Sequence, residues 1–576
     1  MNELDTEIKF GENTKDDDLI IQIESWLRES RSYHDWLLAK QKVAEQYYLG
    51  NQTEKAFIPE HQSNTVENRI FEGVETLVPI STSAAHHFLV LPGSNSENSV
   101  KRADKLQKVL DIKYTTEFVQ KKLEETTRHL LLYRFGVLKW GWDVVKDDLE
   151  IKVIDPRLIL MPKLRCDPHD LPYKIELQEY TPEEVENYFP GKDFEKLRTN
   201  VTVMDKGEKD AESKKTFQVF EVWTKDYVCW YSNGEILDKK VNPYFDYEGA
   251  DTLEGKKFNN FLDDPRDPYI FFTTFNVGDE PIGSISLVES VMDIQDEINV
   301  QKRQIIDNLR MMGNGQWLMD KSAMSKEEAD NITNEPGLVL MGEGLVSENK
   351  ARKEPALPLP NSHFANLQDS KVAFDNIFGL HSATRGAAAS KTLGQDIMNR
   401  QQDLTRIDLI TRVLNRGVQR LAEGLVQLMK LFYTESHVFK YLTAEDTVEF
   451  VNLNSGEIEE GTQIIVKSGR NPEYDRQQLG TMAIQLYQLG ALAPGDLYRL
   501  LEMPNPEQME QNLLKFKMGQ LSMETQAEIQ KVQAGATAKA GAENPAPQRQ
   551  VETPANVMQR ATQGLGGTAP IVSSPF

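Results

Sequence analysis

The stretch SISLVESVMDIQDEINVQKRQIIDNLRMM, residues 284–312, carries Leu287, Val291, Ile294, Ile298, Ile305, Leu309 and Met312 at spacings of three, four and seven. That period predicts a helix from Ser284 to Met312 with one apolar stripe against a partner. At about 1.5 Å per residue it spans roughly 45 Å, long for a single core. Asp293, Asp296, Glu297, Gln301, Lys302, Arg303, Asp307 and Arg310 mix both signs on its other faces, and Gly313 and Gly315 end it. Such faces suit neighbours of the same kind and water.

Beyond it, residues 314–360 are rich in Gly, Pro and Asn and frame a short strand at Leu338–Met341, a small lobe hung between two helices. The second helix is expected at Phe364–Phe378, with Phe364, Leu367, Val372, Phe374 and Phe378 on its apolar face. His381 to Gly394 then has almost no bulky apolar residue to anchor it, which predicts a projecting loop.

Upstream, Asp16–Gly50 reads as an aromatic-bearing helix, Asn68–Leu89 as a helix kinked or split at Pro79, and Lys101–Tyr133 as one amphipathic helix. From Val137 to Leu160 the period drops to two, with Leu138, Trp140, Trp142 and Val144 on one face, and the polar turn at Lys146 to Asp148 predicts a hairpin. Thr181 caps a short helix with Pro182 in its first position. Lys196–Lys215 is charged and expected to be a mobile insertion; Phe217–Trp223, Tyr227–Tyr231, Glu235–Leu237 and Tyr269–Asn276 read as strands. Downstream, Gln395–Tyr433 is the longest periodic run, Phe439–Lys467 returns to strands, Asn471 onward is helical, and residues 535–576 have no periodicity. The fold class is α+β.

With 576 residues the chain exceeds one core, and its net charge is -24. That balance argues against gripping DNA by neutralising phosphates, and suits either plain solubility or a surface past which DNA slides. No apolar run approaches a membrane span, and the acidic start lacks a signal-peptide core, so the chain is expected to stay in the cytosol where it is made. Cys166 and Cys229 fit a reducing compartment. His86 and His87, and Cys166 with His169, lack the further ligands a metal site needs, so no metal and no cofactor is expected.

The nearest approach to a phosphate-binding loop is Arg385 to Thr392, but Arg385 and Ser390 stand where glycines are required and no apolar strand precedes it. Neither a nucleophile elbow nor a His-Glu-x-x-His helix is present, so the chain is not expected to be an enzyme. Arg412, Arg416 and Arg420 line one face of the long run. Such a stripe suits phosphates or, more often, the carboxylates of a neighbouring subunit.

Taken in order, these phrases resemble the bacteriophage portal proteins, the head-to-tail connectors of tailed double-stranded DNA phages. The resemblance runs through Tyr48-Leu49-Gly50-Asn51, Asn68-Arg69-Ile70, the strands around Tyr133–Ile154, Asp155-Pro156, Pro268-Tyr269-Ile270, Gly283-Ser284 and Asp293–Asn299. It covers roughly Asp16 to Gln530. It implies a wing at 16–282 and 395–470, a stem at 283–312 and 361–380, a clip at 313–360, a tunnel loop at 381–394 and a helical crown at 471–534; by composition the polar residues 1–15 and the aperiodic 535–576 are expected to be disordered. It further implies a homo-oligomeric ring of about twelve copies around double-stranded DNA, served by a terminase large subunit, head-tail adaptors, and the major capsid and scaffolding proteins. Placed on this chain, it makes His381, Arg385, Lys391 and Thr392 DNA-facing, Lys302, Arg303 and Arg310 stem or channel-lining, Arg412, Arg416 and Arg420 inter-subunit, and Trp317, Leu338 and Leu340 docking residues of the clip. Two other readings stand beside it: another head-tail adaptor or tail component of a virion, and a cytosolic nucleic-acid enzyme.

Overall fold

The computed structural model describes residues 15–52, 59, 62–83, 86–144, 146–192, 197–202, 214–245, 261–262, 265–313, 317–322, 325–330, 345, 347–348, 350–353, 358–380, 393–442, 448–459 and 461–468, and isolated positions between 483 and 516. The chain divides into residues 1–472 and 473–576.

Helix α1 (Asp16–Tyr48) opens with Asp16, Asp17 and Asp18, whose charges complement the N-terminal end of the helix dipole. It threads three apolar clusters: Leu19 and Ile23 enter one, Tyr33 and Leu37 a second, Ala44 the third and largest. Helix α2 (Arg69–Thr82) is capped by Asn68, whose side chain accepts from the Phe71 N–H, and keeps Pro79 inside it. It stops short of the expected Leu89, because His86–Leu91 forms strand β1. Helices α3 (Glu97–Thr116) and α4 (Val119–Tyr133) replace the single helix expected there. Phe118, exposed and at φ 51°, turns the backbone left-handed between them.

Strands β2 (Phe135–Asp143) and β3 (Asp148–Ile154) form the expected hairpin. Strands β4 (Ile159–Leu160), β5 (Lys174–Tyr180), β6 (Arg198–Thr202), β7 (Lys214–Trp223), β8 (Tyr227–Ser232) and β9 (Glu235–Val241) make a six-stranded antiparallel sheet, with helix α5 (Pro182–Tyr188) between β5 and β6. The Thr181 hydroxyl accepts from the Glu184 N–H while the Glu184 carboxylate accepts from the Thr181 N–H, a reciprocal cap. The expected insertion at Lys196–Lys215 is partly sheet, since β6 pairs with the first half of β7; residues 203–213 lie outside the described residues. Strand β10 (Tyr269–Thr273) adds to the free edge of β2, giving the order β10-β2-β3.

Helix α6 (Met292–Gly313) starts later than the expected Ser284. Before it, the Ser286 hydroxyl accepts from the Glu289 N–H and the Val288 N–H donates to the Leu131 carbonyl, which draws the chain onto the end of α4. A two-stranded ribbon, β11 (Trp317–Met319) with β12 (Ala351–Lys353), and the short helix α7 (Lys326–Asp330) lie between α6 and helix α8 (Asn361–Phe378). The expected strand at Leu338–Met341 lies outside the described residues. Helix α9 (Leu393–Phe432) buries Ile407, Ile410, Leu414, Val418, Leu421, Leu425 and Leu428, the expected stripe.

Two glycines let α9 lie flat on the three-stranded sheet. A Cβ on Gly417 would strike the Phe272 ring of β10, and one on Gly424 would come within 2.6 Å of the Trp140 ring of β2. Strands β13 (His437–Leu442) and β14 (Val448–Leu453) pair with each other, and β15 (Gln463–Ser468) pairs with β1, so Leu91 meets Gln463 and His86 meets Ser468. These elements share one large core of α2, α3, α4, α9 and the sheet faces they cover.

Candidate stem, channel and docking surfaces

Helix α6 is fixed by a polar stripe as well as an apolar one. Gln295, Asn299, Arg303 and Asp307 recur every fourth residue, so they stack on one face. Each holds the extended segment that precedes α2. The Gln295 carbonyl oxygen accepts from the Arg69 N–H at 3.1 Å, and its amide donates to the Glu67 carbonyl at 2.7 Å. Asn299 accepts from the Glu67 N–H at 3.0 Å and donates to the Gln52 side chain at 2.7 Å. Arg303 Nε donates to the Thr65 carbonyl at 3.1 Å, and Asp307 accepts from the Ser63 N–H at 2.7 Å. An extended strand without a sheet partner thus satisfies its backbone on side chains.

The apolar stripe serves the opposite need. Val291, Ile298 and Ile305 are buried, whereas Leu309 is 58% exposed and Met312 49% exposed, so the described residues leave the far end of α6 uncovered. Helix α8 joins through Glu297, whose carboxylate accepts from Ser370 Oγ at 3.1 Å and from Gln301 at 2.8 Å. Arg69, nearly buried, crosses to Asp375 of α8 at 2.7 Å.

Of the stem residues expected to line a channel, Lys302 lies 3.3 Å from Glu67, Arg303 holds the Thr65 carbonyl, and Arg310 lies on the exposed end 3.5 Å from Asp307. Lys371 of α8 also reaches Glu67, at 2.6 Å. Burial alone would raise the Glu67 pKa; the two ammonium groups outweigh it and hold the carboxylate below its ordinary value. Trp317 pairs through its backbone with Lys353 in the ribbon. Leu338, Leu340, His381, Arg385, Lys391 and Thr392 lie outside the described residues.

The three arginines of α9 are not equivalent. Arg412 is bound to Asp408 of its own helix at 2.6 Å and is exposed. Arg416 and Arg420 point into a recess of about 370 Å³ between α9, the turn at Pro168–Asp170 and the approach to β10.

Two buried charge clusters carry no signal in the sequence. Arg134, whose backbone sits at φ 75° just after α4, forks onto both oxygens of Glu289 at 2.7 and 2.6 Å and lies over the Trp36 ring. Lys139 bridges Glu176 at 2.6 Å and Glu221 at 2.8 Å, while the Tyr269 hydroxyl donates to Glu176 at 2.6 Å. Burial alone would lower the Lys139 pKa, and the two carboxylates outweigh it and raise it. The Lys139 cluster joins the three-stranded and six-stranded sheets, and Lys139, Gln178, Trp223 and Tyr269 all donate to its two carboxylates, so it presents no free base.

Among the described residues no group of three or more His, Cys, Asp or Glu could hold a metal ion, and no helix is long and apolar enough to cross a membrane. No curated protein matches the sequence. Similar solved structures include a chain of the virion of a native gene transfer agent particle, at 10% identity and a TM-score of 0.38, covering 81% of this chain and 94% of that one. Another is a chain of the neck of an empty gene transfer agent particle, computed with C6 symmetry, at 12% identity and a TM-score of 0.37, covering 75% of this chain and 90% of that one. At these values neither likeness decides the function. The family model for phage P22-like portal proteins matches residues 24–565, nearly the whole chain, and the protein belongs to that family.

Proposed function

We propose that the protein forms a closed ring of about twelve copies at one capsid vertex, enclosing the channel through which double-stranded DNA is packaged, retained and ejected. The observation that carries this reading is the family match from residue 24 to residue 565. The exposed apolar end of α6 supports it, since the described residues leave Leu309 and Met312 uncovered and a neighbouring stem helix would cover them. In this reading α6 and α8 form the stem, and the ribbon β11–β12 belongs to the clip, with Trp317, Leu338 and Leu340 meeting terminase and later the tail adaptors. Lys302, Arg303 and Arg310 stand on the stem, and His381, Arg385, Lys391 and Thr392 form the loop that meets DNA. Capsid and scaffolding proteins hold the outer wing.

The chain carries out no catalysis of its own in this reading. A separate ATP-driven terminase does the pumping, and the ring guides and retains the duplex. Mass photometry of the purified protein, alone and with scaffolding protein, followed by imaging of the largest species, tests the proposal. A closed ring with an axial hole wide enough for B-DNA is expected. A small closed oligomer without a hole, or no ring under either condition, overturns it.

A further inference from the structure

Arg416 and Arg420 lie one helical turn apart on α9, the first exposed and the second half-buried, and no hydrogen bond or ion pair ties either to another described residue. The acidic groups around them are already engaged. Arg266 takes Glu423 at 3.0 Å, and Lys174 takes Asp267 at 2.5 Å. On the recess wall this leaves Arg416 and Arg420 against the carboxylate of Asp170, with Asp167, already bonded to His169, near Arg420. The recess is therefore cationic on a chain with 89 acidic and 65 basic residues. Trp140, Tyr269 and Gly424 also line it.

We propose that this recess receives an aspartate- or glutamate-bearing segment from a second copy of the chain. The inference rests on the ring reading above and names one contact within it. A ring closed by one repeated interface needs two different, complementary surfaces on each copy, and a cationic recess on an otherwise acidic chain meets that need. Shape favours a side chain over a duplex. DNA offers its phosphates on a convex cylinder, which touches ridges and loops, whereas these guanidinium groups line a hollow. Arg412 is not part of the contact, because Asp408 already neutralises it.

The test uses the full chain. Arg416→Glu with Arg420→Glu should raise the concentration needed for half-assembly by on the order of tenfold or more, while Arg416→Lys with Arg420→Lys keeps most of the assembly. Circular dichroism and thermal melting of both variants should match the unaltered protein. A photo-crosslinking benzoylphenylalanine at Gln419, also on the recess wall, should join two copies, at an acidic segment of the second. Unaltered assembly of the glutamate variant, or crosslinks only within one copy, overturns the proposal. So do variant rings that assemble normally but no longer retain duplex DNA, which would make phosphate the occupant. Should the unaltered protein never form a ring, even with scaffold, the ring reading and this contact fall together; loss of the contact in the presence of rings strikes this inference alone.

Discussion

Asn299 holds the backbone of Glu67 at 3.0 Å, across a sequence separation of 232 residues. The same side chain donates to Gln52, so one amide satisfies the backbone of the segment before α2 and a side chain that follows α1. Asn299→Ala leaves the Glu67 N–H buried without an acceptor and should cost about 1–3 kcal/mol. Urea unfolding measures the loss, and hydrogen exchange should speed at Glu67 and Arg69 first. Asn299→Asp keeps the acceptor and should cost less; equal losses for the two variants would refute the role assigned to the oxygen.

The contact of α9 with the sheet gives a second prediction. Gly417→Val places a branched side chain against the buried Phe272 ring, and the overpacking should destabilise the first unit by about 1–3 kcal/mol. A thermal melt unchanged within error would show that α9 lifts from the sheet at no cost.

Acid should weaken the fold before its carboxylates protonate. Burial is the main cause holding the imidazoles of His86, His129 and His169 below their ordinary pKa. The unfolded chain takes up these protons near pH 6.5 and the folded chain resists them, so the contribution is complete above that value and falls as the pH drops. Stability measured from about pH 7 to about pH 5 should therefore decline. His129 Nδ1 is buried without a hydrogen-bond partner, so His129→Phe should flatten part of that decline. A slope unaltered by the substitution would assign the acid sensitivity elsewhere.

The proposed function puts the segment at 381–394 against DNA. Arg385→Ala with Lys391→Ala removes its two strongest phosphate-binding charges from a stretch poor in bulky apolar residues. Ring assembly should survive, and packaging or retention of the packaged genome should fail. Full-length genomes held normally by the double variant would remove these residues from the DNA path.

Much of the fold was legible because the decisive patterns are local. Alternation of Leu138, Trp140 and Trp142 marks the β2–β3 hairpin, Thr181 followed by Pro182 marks a capped helix, and the stripe from Ile407 to Leu428 marks α9. The misses have physical causes. The apolar period runs on through Phe118, so nothing announces the left-handed break between α3 and α4. His86–Leu91 follows directly on a helical pattern, and its strand exists because β15 pairs with it across the chain. The strap from Ser63 to Arg69 has no period of its own, since side chains on α6 satisfy its backbone. One signal was present and unread: Gln295, Asn299, Arg303 and Asp307 at every fourth place, a polar stripe beside the apolar one. The arginine face was readable as a row, but its division between Asp408 and the recess depends on folding α9 against the Pro168–Asp170 turn.

The pairing of β1 with β15 also sets an order of events during synthesis. Strand β1 waits for residues 463–468, so a ribosome must deliver most of the chain before that edge is covered. Until then β1 lacks the strand that pairs with its open edge, while on the other side its Phe88 and Val90 N–H groups are held by Asp111 and Gln107 of α3. A chain stalled before residue 463 therefore leaves β1 without the strand that pairs with it, and this edge of the fold is completed among the last of the described segments.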